Sequence, residues 1–185
     1  MLHLFIASYF RVVSQLPGLN LFVSGQRIYA RNEILINMMV KRGITTESEE
    51  TCAKVVFEPT DTIYDVYRKM NEAVEEIRAS DDSGTEKAAG VLMKMPRLIL
   101  KFAVWIIKIL DYFDLLPMSL LRVSPFHGSM IVTDLGSLGI PPIYHHLYNF
   151  GNLPVFLAFG AKRRVVELDR DGQPVEHKYV DYKIV

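Results

Sequence analysis

A hydroxyl and a carboxylate follow a short apolar segment in the second half of the chain. Met130–Val132 is apolar, Thr133 and Asp134 come directly after it, and Gly136 and Gly139 follow. Strands that end in Thr-Asp-x-Gly place polar side chains at a sheet edge, where ligands often bind. The alternative is a strand that ends in a glycine turn, with Thr133 bonded only to neighbouring backbone groups. The spacing alone leaves both interpretations open.

Histidines are the other residues that could carry acid–base or metal chemistry. His127 precedes the Met130–Val132 segment and could line the same pocket as Thr133, or it could lie in a loop without a binding role. His145 and His146 are neighbours, and on a helix their side chains would point about 100° apart and could not share one ion. We therefore predict no metal site.

The composition of the 185 residues is that of a single globular domain, because half of the residues are hydrophobic and 23% are charged. Lys plus Arg equals Asp plus Glu, 21 against 21, so no overall positive charge favours nucleic acid as a partner. Cys52 is the only cysteine, which excludes an internal disulfide and a cysteine-based metal cluster. The apolar N-terminal stretch has no basic n-region, so we expect a cytoplasmic protein without a signal peptide.

Periodic hydrophobicity predicts most of the elements that must position these residues. Apolar residues at helical spacing predict amphipathic helices, and alternating or β-branched runs bounded by turn residues predict strands. Ile143–Tyr148 is expected to be a short helix, and the polar stretches Thr45–Glu50 and Ala79–Gly84 to be loops. The predicted helices are Leu2–Leu16 and Ile63–Ile77, and the predicted strands are Leu21–Val23, Arg27–Ala30, Glu33–Val40, Thr51–Phe57, Met130–Val132, Val155–Phe159, Arg163–Leu168 and Val175–Val185.

A helix is also predicted within Pro96–Leu116, where nearly every residue outside one cationic stripe is apolar. Leu98–Leu110 is too short and too charged to span a bilayer, which takes about 20 apolar residues. Three interpretations stay open: a helix buried in the core or in a subunit interface, a helix on a membrane surface, and a docking face for a partner helix. The stripe comprises Lys94, Arg97, Lys101 and Lys108.

The segment Ser129-Met-Ile-Val-Thr-Asp-Leu-Gly136 resembles a family signature, the Thr-Phe-Thr-Ile-Ser-Asn-Leu-Gly of the acyltransferase subunits of 2-oxoacid dehydrogenase complexes. Leu2–Gly43, Phe57–Ile63 and Leu153–Ala161 resemble further parts of that family, in the same order along the chain. The resemblance implies an α/β fold of the chloramphenicol acetyltransferase-like type, with a mixed β-sheet flanked by helices. It also implies one acyltransferase-like domain over residues 1–185, lacking the family's first strands and its C-terminal histidine-motif segment.

The same resemblance implies a reaction and a set of site residues. The family moves an acyl group between coenzyme A and a thiol such as dihydrolipoamide. Thr133 stands where the signature has its serine, so by resemblance its hydroxyl would donate a hydrogen bond to the oxyanion. Asp134 stands in place of the signature's asparagine and is assigned with Thr133 to the catalytic residues. Ser129 and His127 are assigned to substrate binding.

The family's catalytic base is a histidine in a His-x-x-x-Asp-Gly motif, which follows a strand that Tyr179–Val185 resembles. The sequence shows no such motif there. His145-His-Leu-Tyr-Asn-Phe-Gly151 has a similar pattern, but Phe150 stands where aspartate is required. Two hypotheses stay open: an acyltransferase whose base lies outside this sequence, and a non-catalytic relative. The second would act as an oligomeric scaffold or as an acyl-carrier or membrane-associated binding protein.

Partners follow from the resemblance as well. In the family the active site lies between the subunits of a trimer, so a homotrimer is expected. A coenzyme A thioester is the expected substrate, and a thiol is the expected acyl acceptor. No metal and no lipoyl attachment site are expected. The protein would be cytoplasmic, and peripheral to a membrane if the helix within 94–116 contacts lipid.

Overall fold

A computed structural model describes residues 1–41, 50–79, 90 and 94–185. Of the predicted loops Thr45–Glu50 and Ala79–Gly84, residues 45–49 and 80–84 lie outside the described residues, whereas Glu50 begins a strand and Ala79 ends a helix. The helices are α1 (Leu2–Gln15), α2 (Ile63–Ala79), α3 (Arg97–Tyr112) and α4 (Met118–Val123). The strands are β1 (Leu21–Ser24), β2 (Arg27–Ala30), β3 (Ile34–Lys41), β4 (Glu50–Phe57), β5 (Met130–Asp134), β6 (Phe156–Leu168) and β7 (Pro174–Ile184). Short 3-10 turns occupy Pro17–Asn20 and Gly136–Leu138.

The described strands form a five-stranded mixed sheet in the order β4-β3-β5-β6-β7, beside the small β1–β2 hairpin. β5 is parallel to both of its neighbours, with Ile36 opposite Met130 and Ile131 opposite Phe156. β3 pairs with β4, and β6 with β7, in antiparallel fashion. The predicted mixed sheet flanked by helices is confirmed. The short strand with the polar residues at its end therefore lies at the centre of the sheet.

Helices α1 and α2 cover one face of this sheet and form the main core with it. The apolar stripe of α1 buries Ile6, Phe10 and Val13, because residues three and four apart share one side of a helix. Phe10 contacts Phe57 of β4, with ring centroids 4.9 Å apart. The predicted helices Leu2–Leu16 and Ile63–Ile77 are therefore confirmed within two residues at each end.

The predicted helix at Ile143–Tyr148 is wrong, because residues 141–148 are irregular backbone. They run across the second face of the sheet, which is the face that α1 and α2 do not cover. His145 stacks on Phe156 of β6 with ring centroids 4.6 Å apart and an angle of 9° between the rings. Its Nδ1 donates a hydrogen bond to the carbonyl of His146, 2.7 Å away, which takes that carbonyl out of any helical pattern. Stacking on the sheet therefore outweighs the local helical spacing. The divergence of the two histidines expected on a helix is not realised either, since their rings lie 5.4 Å apart.

Helix α3 lies at the surface of the described part of the chain. None of its residues is buried, so the core placement, one of the alternatives for this helix, is wrong. The subunit interface, the membrane surface and the partner helix stay open.

Candidate functional site

Thr133 lies near the C-terminal end of β5, opposite Ala158 of β6. Its side chain is half-buried. Among the described residues, none exchanges a hydrogen bond with the Thr133 hydroxyl. The Thr133 hydroxyl therefore lies at the C-terminal end of the central strand and is free of hydrogen bonds to the described residues. Donation of a hydrogen bond to a substrate oxygen requires such a free hydroxyl.

Asp134 follows on the opposite face of β5, because successive side chains of a strand alternate. Its Oδ1 accepts a hydrogen bond from the backbone N–H of Gly136, with a distance of 2.8 Å. Aspartate side chains close short turns in this way. The carboxylate is therefore engaged in the turn that ends the strand, and it is directed away from the face that carries Thr133.

Ser129 is fully buried at the start of β5 and joins that strand to β3. Its hydroxyl accepts a hydrogen bond from the N–H of Leu35 (3.0 Å), and its own N–H donates to the carbonyl of Leu35 (2.7 Å). Tyr9 of α1 donates a hydrogen bond to the carbonyl of Ser129. The hydroxyl of Ser129 thus already has a backbone partner inside the sheet.

His127 is 2% exposed and connects three separate segments of the chain. Its Nε2 lies 2.8 Å from Oδ1 of Asp111 in α3, and its Nδ1 lies 2.7 Å from Oγ of Ser124. The other oxygen of Asp111 accepts a hydrogen bond from the N–H of Gly151 at 3.3 Å. Ser124, His127, Asp111 and Gly151 therefore form one continuous hydrogen-bonded chain.

The donors and acceptors of this chain determine the tautomer of His127. A carboxylate can only accept, so Nε2 carries the proton that is donated to Asp111. Burial lowers the pKa of His127 and favours the neutral ring. Nδ1 therefore accepts a hydrogen bond from the Ser124 hydroxyl, which in turn accepts one from the N–H of Phe126 at 3.4 Å. Both ring nitrogens are engaged, so His127 has no nitrogen left to take a proton from a substrate.

Polar groups of the sheet support the segment that carries this chain. Lys54 of β4 donates hydrogen bonds from Nζ to the carbonyls of Leu121 and Ser124, the latter at 2.7 Å. Asn37 of β3 donates from Nδ2 to the carbonyl of Pro125, also at 2.7 Å. Burial lowers the pKa of Lys54 to about 8. These bonds hold residues 121–127 flat against the second face of the sheet.

The structure separates the four predicted site residues into two groups. Ser129 and His127 lie at the N-terminal end of β5, whereas Thr133 and Asp134 lie at its C-terminal end. Met130 and Thr133 are three positions apart along the extended strand, a distance of about 10 Å. Thr133 and His127 therefore lie at opposite ends of β5, and the catalytic and substrate-binding assignments stay predictions.

Sequence reasoning missed Asp111 and Ser124, the partners of His127. Asp111 is the one acidic residue within the otherwise apolar and basic α3, and a carboxylate at such a position signals a specific partner. Ser124 precedes His127 by three residues, a spacing at which a serine side chain often bonds locally. Neither signal identifies which histidine is the partner, because the pairing depends on tertiary structure.

A cleft of about 310 Å³ opens beside Asp111, between the tip of the β1–β2 hairpin and the C-terminal end of α3. Its lining includes Ser24, Lys108 and Phe150, but neither Ser124 nor His127. A serine, a histidine and an aspartate in one chain are also the parts of a nucleophilic triad. Here His127 is buried and Ser124 and Asp111 are half-buried, so we assign them the role of holding α3 and the Gly151 segment in position.

The solved structures that are similar to this chain in fold include dihydrolipoamide acetyltransferases. A probable dihydrolipoamide acetyltransferase from Listeria monocytogenes matches with a TM-score of 0.57 and 12% identity over 99% of this chain and 58% of its own. The dihydrolipoamide acetyltransferase of Azotobacter vinelandii matches with a TM-score of 0.56 and 11% identity over 98% of this chain and 58% of its own. The cubic core of a pyruvate dehydrogenase multienzyme complex matches with a TM-score of 0.52 and 12% identity, with coverage of 98% and 58%.

The fold resembles that of dihydrolipoamide acetyltransferases. This chain spans somewhat more than half the length of those chains, since 58% of each is covered. The sequence itself matches no protein-family model and no curated protein sequence. The predicted resemblance in fold is confirmed, and at 11–12% identity the likeness concerns the fold alone.

We expect the stability of the fold to decrease as the pH falls below about 6.5, the ordinary pKa of histidine. Burial lowers the pKa of His127, so the unfolded chain binds a proton at a pH where the folded chain does not, and acidification favours unfolding. Asp111 opposes this shift, whereas Lys54 and Arg31 reinforce it. Urea unfolding at about pH 5 and about pH 8, on either side of the histidine range, measures the difference in unfolding free energy.

Two variants separate His127 from the other histidines. His127→Gln removes the titrating ring and is expected to reduce the loss of stability at low pH. Part of that loss is expected to remain, because burial also lowers the pKa of His3. His177→Gln, at an exposed position of β7, is expected to leave the pH dependence unchanged. An equal pH dependence in all three proteins would show that His127 is not the group responsible.

Proposed function

We propose that this chain takes part in acyl transfer between a coenzyme A thioester and a thiol such as dihydrolipoamide, with Thr133 stabilising the oxyanion. The unengaged hydroxyl of Thr133, at the C-terminal end of the central parallel strand, carries this proposal. It supports the role because the other polar side chains assigned to the site, Ser129, His127 and Asp134, all have partners within the fold. The similarity in fold to dihydrolipoamide acetyltransferases supports the reaction class.

The proposed reaction begins with attack of an acceptor thiolate on the carbonyl carbon of the thioester. The carbonyl π electrons move onto oxygen and create a tetrahedral oxyanion, to which the Thr133 hydroxyl donates a hydrogen bond. Collapse of this intermediate breaks the bond to the sulfur of coenzyme A and releases that sulfur as a thiolate. The carboxylate of Asp134 is engaged with Gly136 on the other face of β5, so it is not directed at the oxyanion.

The general base that removes the thiol proton is assigned to none of the described histidines near the sheet centre. His127 uses both ring nitrogens within the fold, and the Nδ1 of His145 donates to a backbone carbonyl. A serine, a histidine and an asparagine were investigated for a role in the catalytic mechanism of the Azotobacter vinelandii enzyme. We propose by analogy that a histidine outside this sequence supplies the base.

Assembly and location are part of the same proposal. One of the similar structures is the cubic core of a multienzyme complex, which supports the assembly of this chain into a homo-oligomer, with a trimer as the proposed unit. We also propose a cytoplasmic location, which is a compartment in which coenzyme A thioesters occur.

Replacing Thr133 with alanine is expected to lower the rate of acyl transfer roughly a hundredfold to a thousandfold, the usual effect of removing one oxyanion donor. The assay follows release of coenzyme A from acetyl-coenzyme A in the presence of dihydrolipoamide, with this chain and with the product of its complete gene. Thr133→Ser is the matched control, because it keeps the hydroxyl and removes only a methyl group. An alanine variant as fast as the serine variant would rule out the oxyanion role.

A second candidate is a non-catalytic relative that serves as an oligomeric scaffold or as an acyl-carrier or membrane-associated binding protein. The observation in its favour is that no described histidine exchanges a hydrogen bond with the Thr133 hydroxyl, and His127 lies at the other end of β5. Calorimetric binding of acetyl-coenzyme A without any turnover, by the complete gene product in an intact oligomer, would favour this candidate. Turnover that depends on Thr133 would exclude it.

A further inference from the structure

Helix α3 exposes a row of large apolar side chains along its outer side. Phe102 is 60% exposed and Trp105 is 57% exposed. With about 100° between successive residues, six exposed apolar side chains share one side of the helix, and the half-buried ones face the domain. Val104, which is 39% exposed, is the exception and lies on the other side, beside the basic residues. The apolar row comprises Leu98, Ile99, Phe102, Trp105, Ile106 and Ile109, and the half-buried side chains are those of Leu100, Ala103, Ile107 and Leu110.

A stripe of positive charge borders this row along one side. Arg97, Lys101 and Lys108 project within about 40° of one another on the helix, next to Trp105. All three are exposed. The one acidic residue of the helix is Asp111, whose carboxylate is engaged with His127 and Gly151. The outer side of α3 therefore combines apolar surface with positive charge and carries no exposed carboxylate.

The C-terminal end of α3 is attached to the body of the domain, so the apolar row is held facing outward. Ser24 in the β1–β2 hairpin donates hydrogen bonds to the carbonyls of Asp111 (2.8 Å) and Tyr112 (3.0 Å). At Gly25 the backbone approaches α3 so closely that a Cβ would lie 2.6 Å from the carbonyl oxygen of Tyr112. Together with the bond from His127 to Asp111, these contacts determine which side of the helix faces the domain.

We propose that α3 binds to an anionic lipid surface, with its apolar row inserted at the boundary between headgroups and acyl chains. Surface-bound helices have this combination of an apolar side with aromatic residues and a flanking row of Lys and Arg. The lysine and arginine stems can lie along the lipid while their charges reach the phosphate groups. Within the described residues, no helix has both the length and the apolar content to cross a bilayer.

Charge favours lipid over a second α3 helix in a two-fold pair as the occupant. In a two-fold pair of α3 helices the same patch would face itself, so the two cationic stripes would be brought together. Neither helix has an exposed carboxylate to compensate them. An anionic bilayer supplies the opposite charge along the whole length of the stripe. This inference is independent of acyl transfer, because it uses no residue of the Thr133 site.

Trp105 is the only tryptophan of the chain, so its fluorescence reports on this surface alone. The purified chain is titrated with vesicles of equal parts phosphatidylcholine and phosphatidylglycerol, and separately with vesicles of phosphatidylcholine. We expect a blue shift of the emission with the anionic vesicles, and quenching when the lipids carry bromine on their acyl chains. Added salt is expected to weaken binding, because it screens the attraction between Lys or Arg and lipid phosphate.

Two pairs of substitutions test the charge and the apolar row separately. Arg97→Gln with Lys101→Gln is expected to lower the vesicle partition coefficient roughly thirtyfold. Phe102→Ser with Ile106→Ser is expected to lower it roughly tenfold or more. The matched controls lie on the β6–β7 hairpin, where Lys162→Gln with Lys178→Gln removes the same charge and Val166→Ser with Leu168→Ser removes exposed apolar surface. Both control pairs are expected to bind like the unmodified chain.

Each of the following three results would contradict the proposal. Equal binding to both kinds of vesicle would remove the role of the cationic stripe. If the Trp105 emission shifts with neither kind of vesicle, the apolar row does not enter lipid. A blue shift that grows with protein concentration in the absence of vesicles, together with a larger mass by analytical ultracentrifugation, would show that a second copy covers α3.

Discussion

Replacing Gly151 with alanine is expected to destabilise the fold by about 4 kcal/mol, which lowers the melting temperature by roughly 10 °C for a chain of this size. Gly151 adopts a φ of +82°, and a Cβ there would lie 2.2 Å from the carbonyl oxygen of Phe126. That oxygen also accepts a hydrogen bond from the N–H of Asn152 at 3.1 Å. The added methyl group would therefore separate two backbone segments that meet directly above the His127–Asp111 pair.

Gly172→Ala is the matched control for this prediction. Gly172 has a similar φ of +76°, but no atom lies within 4 Å of the position that its Cβ would take. Its replacement carries only the backbone penalty of the left-handed region, about 1–2 kcal/mol. Chemical unfolding of the two variants isolates the effect of the close approach at Phe126. Equal destabilisation of both would mean that the segment around Gly151 relaxes freely.

Replacing Phe57 with alanine is expected to destabilise the protein by about 3–5 kcal/mol, because it removes a large side chain from a packed core. Phe57 ends β4 and is 1% exposed. Its ring lies against Phe10 of α1, and Lys69 of α2 places its ammonium group 5.5 Å from the ring centroid. The cavity would therefore open where β4, α1 and α2 meet.

The neighbouring residue provides the comparison for Phe57. Val56 precedes it in the same strand and points to the other side of the sheet, where it is 46% exposed. Val56→Ala is expected to destabilise the fold by less than about 1 kcal/mol, as is usual for partly exposed positions. Urea denaturation of both variants gives the two free energies. Similar values would contradict the assignment of the core to the face covered by α1 and α2.

The elements that depend on local pattern could be predicted from the sequence. The apolar stripe of α1 and the alternation in β4 reflect one buried face each, and such periodicity is visible without knowledge of the partner element. The central position of β5 was not predicted from the sequence. Its parallel pairing joins Ile36 to Met130, residues far apart in sequence, and no local pattern specifies such a contact.

The parts that could not be predicted are those in which tertiary contacts decide. The segment around His145 has helical spacing, but its ring gains more by stacking on Phe156 than a short helix would supply. The hydrogen bond between His127 and Asp111 joins a turn to helix α3, and the two residues are 16 positions apart in the sequence. The packing of α3 determines which histidine bonds to that carboxylate. The sequence shows only that Asp111 is the one acidic residue in an otherwise apolar and basic helix.

Strand β7 lies at one edge of the described sheet, and this position has a consequence for solubility. The outer edge of a sheet presents unpaired N–H and C=O groups that can add a strand from another molecule. Pro174 has no N–H at the start of β7, and Glu176, Lys178, Asp181 and Lys183 place charges along the strand. Addition of an apolar strand at this edge would remove charges of β7 from water, which costs free energy. The edge strand therefore protects the sheet against aggregation.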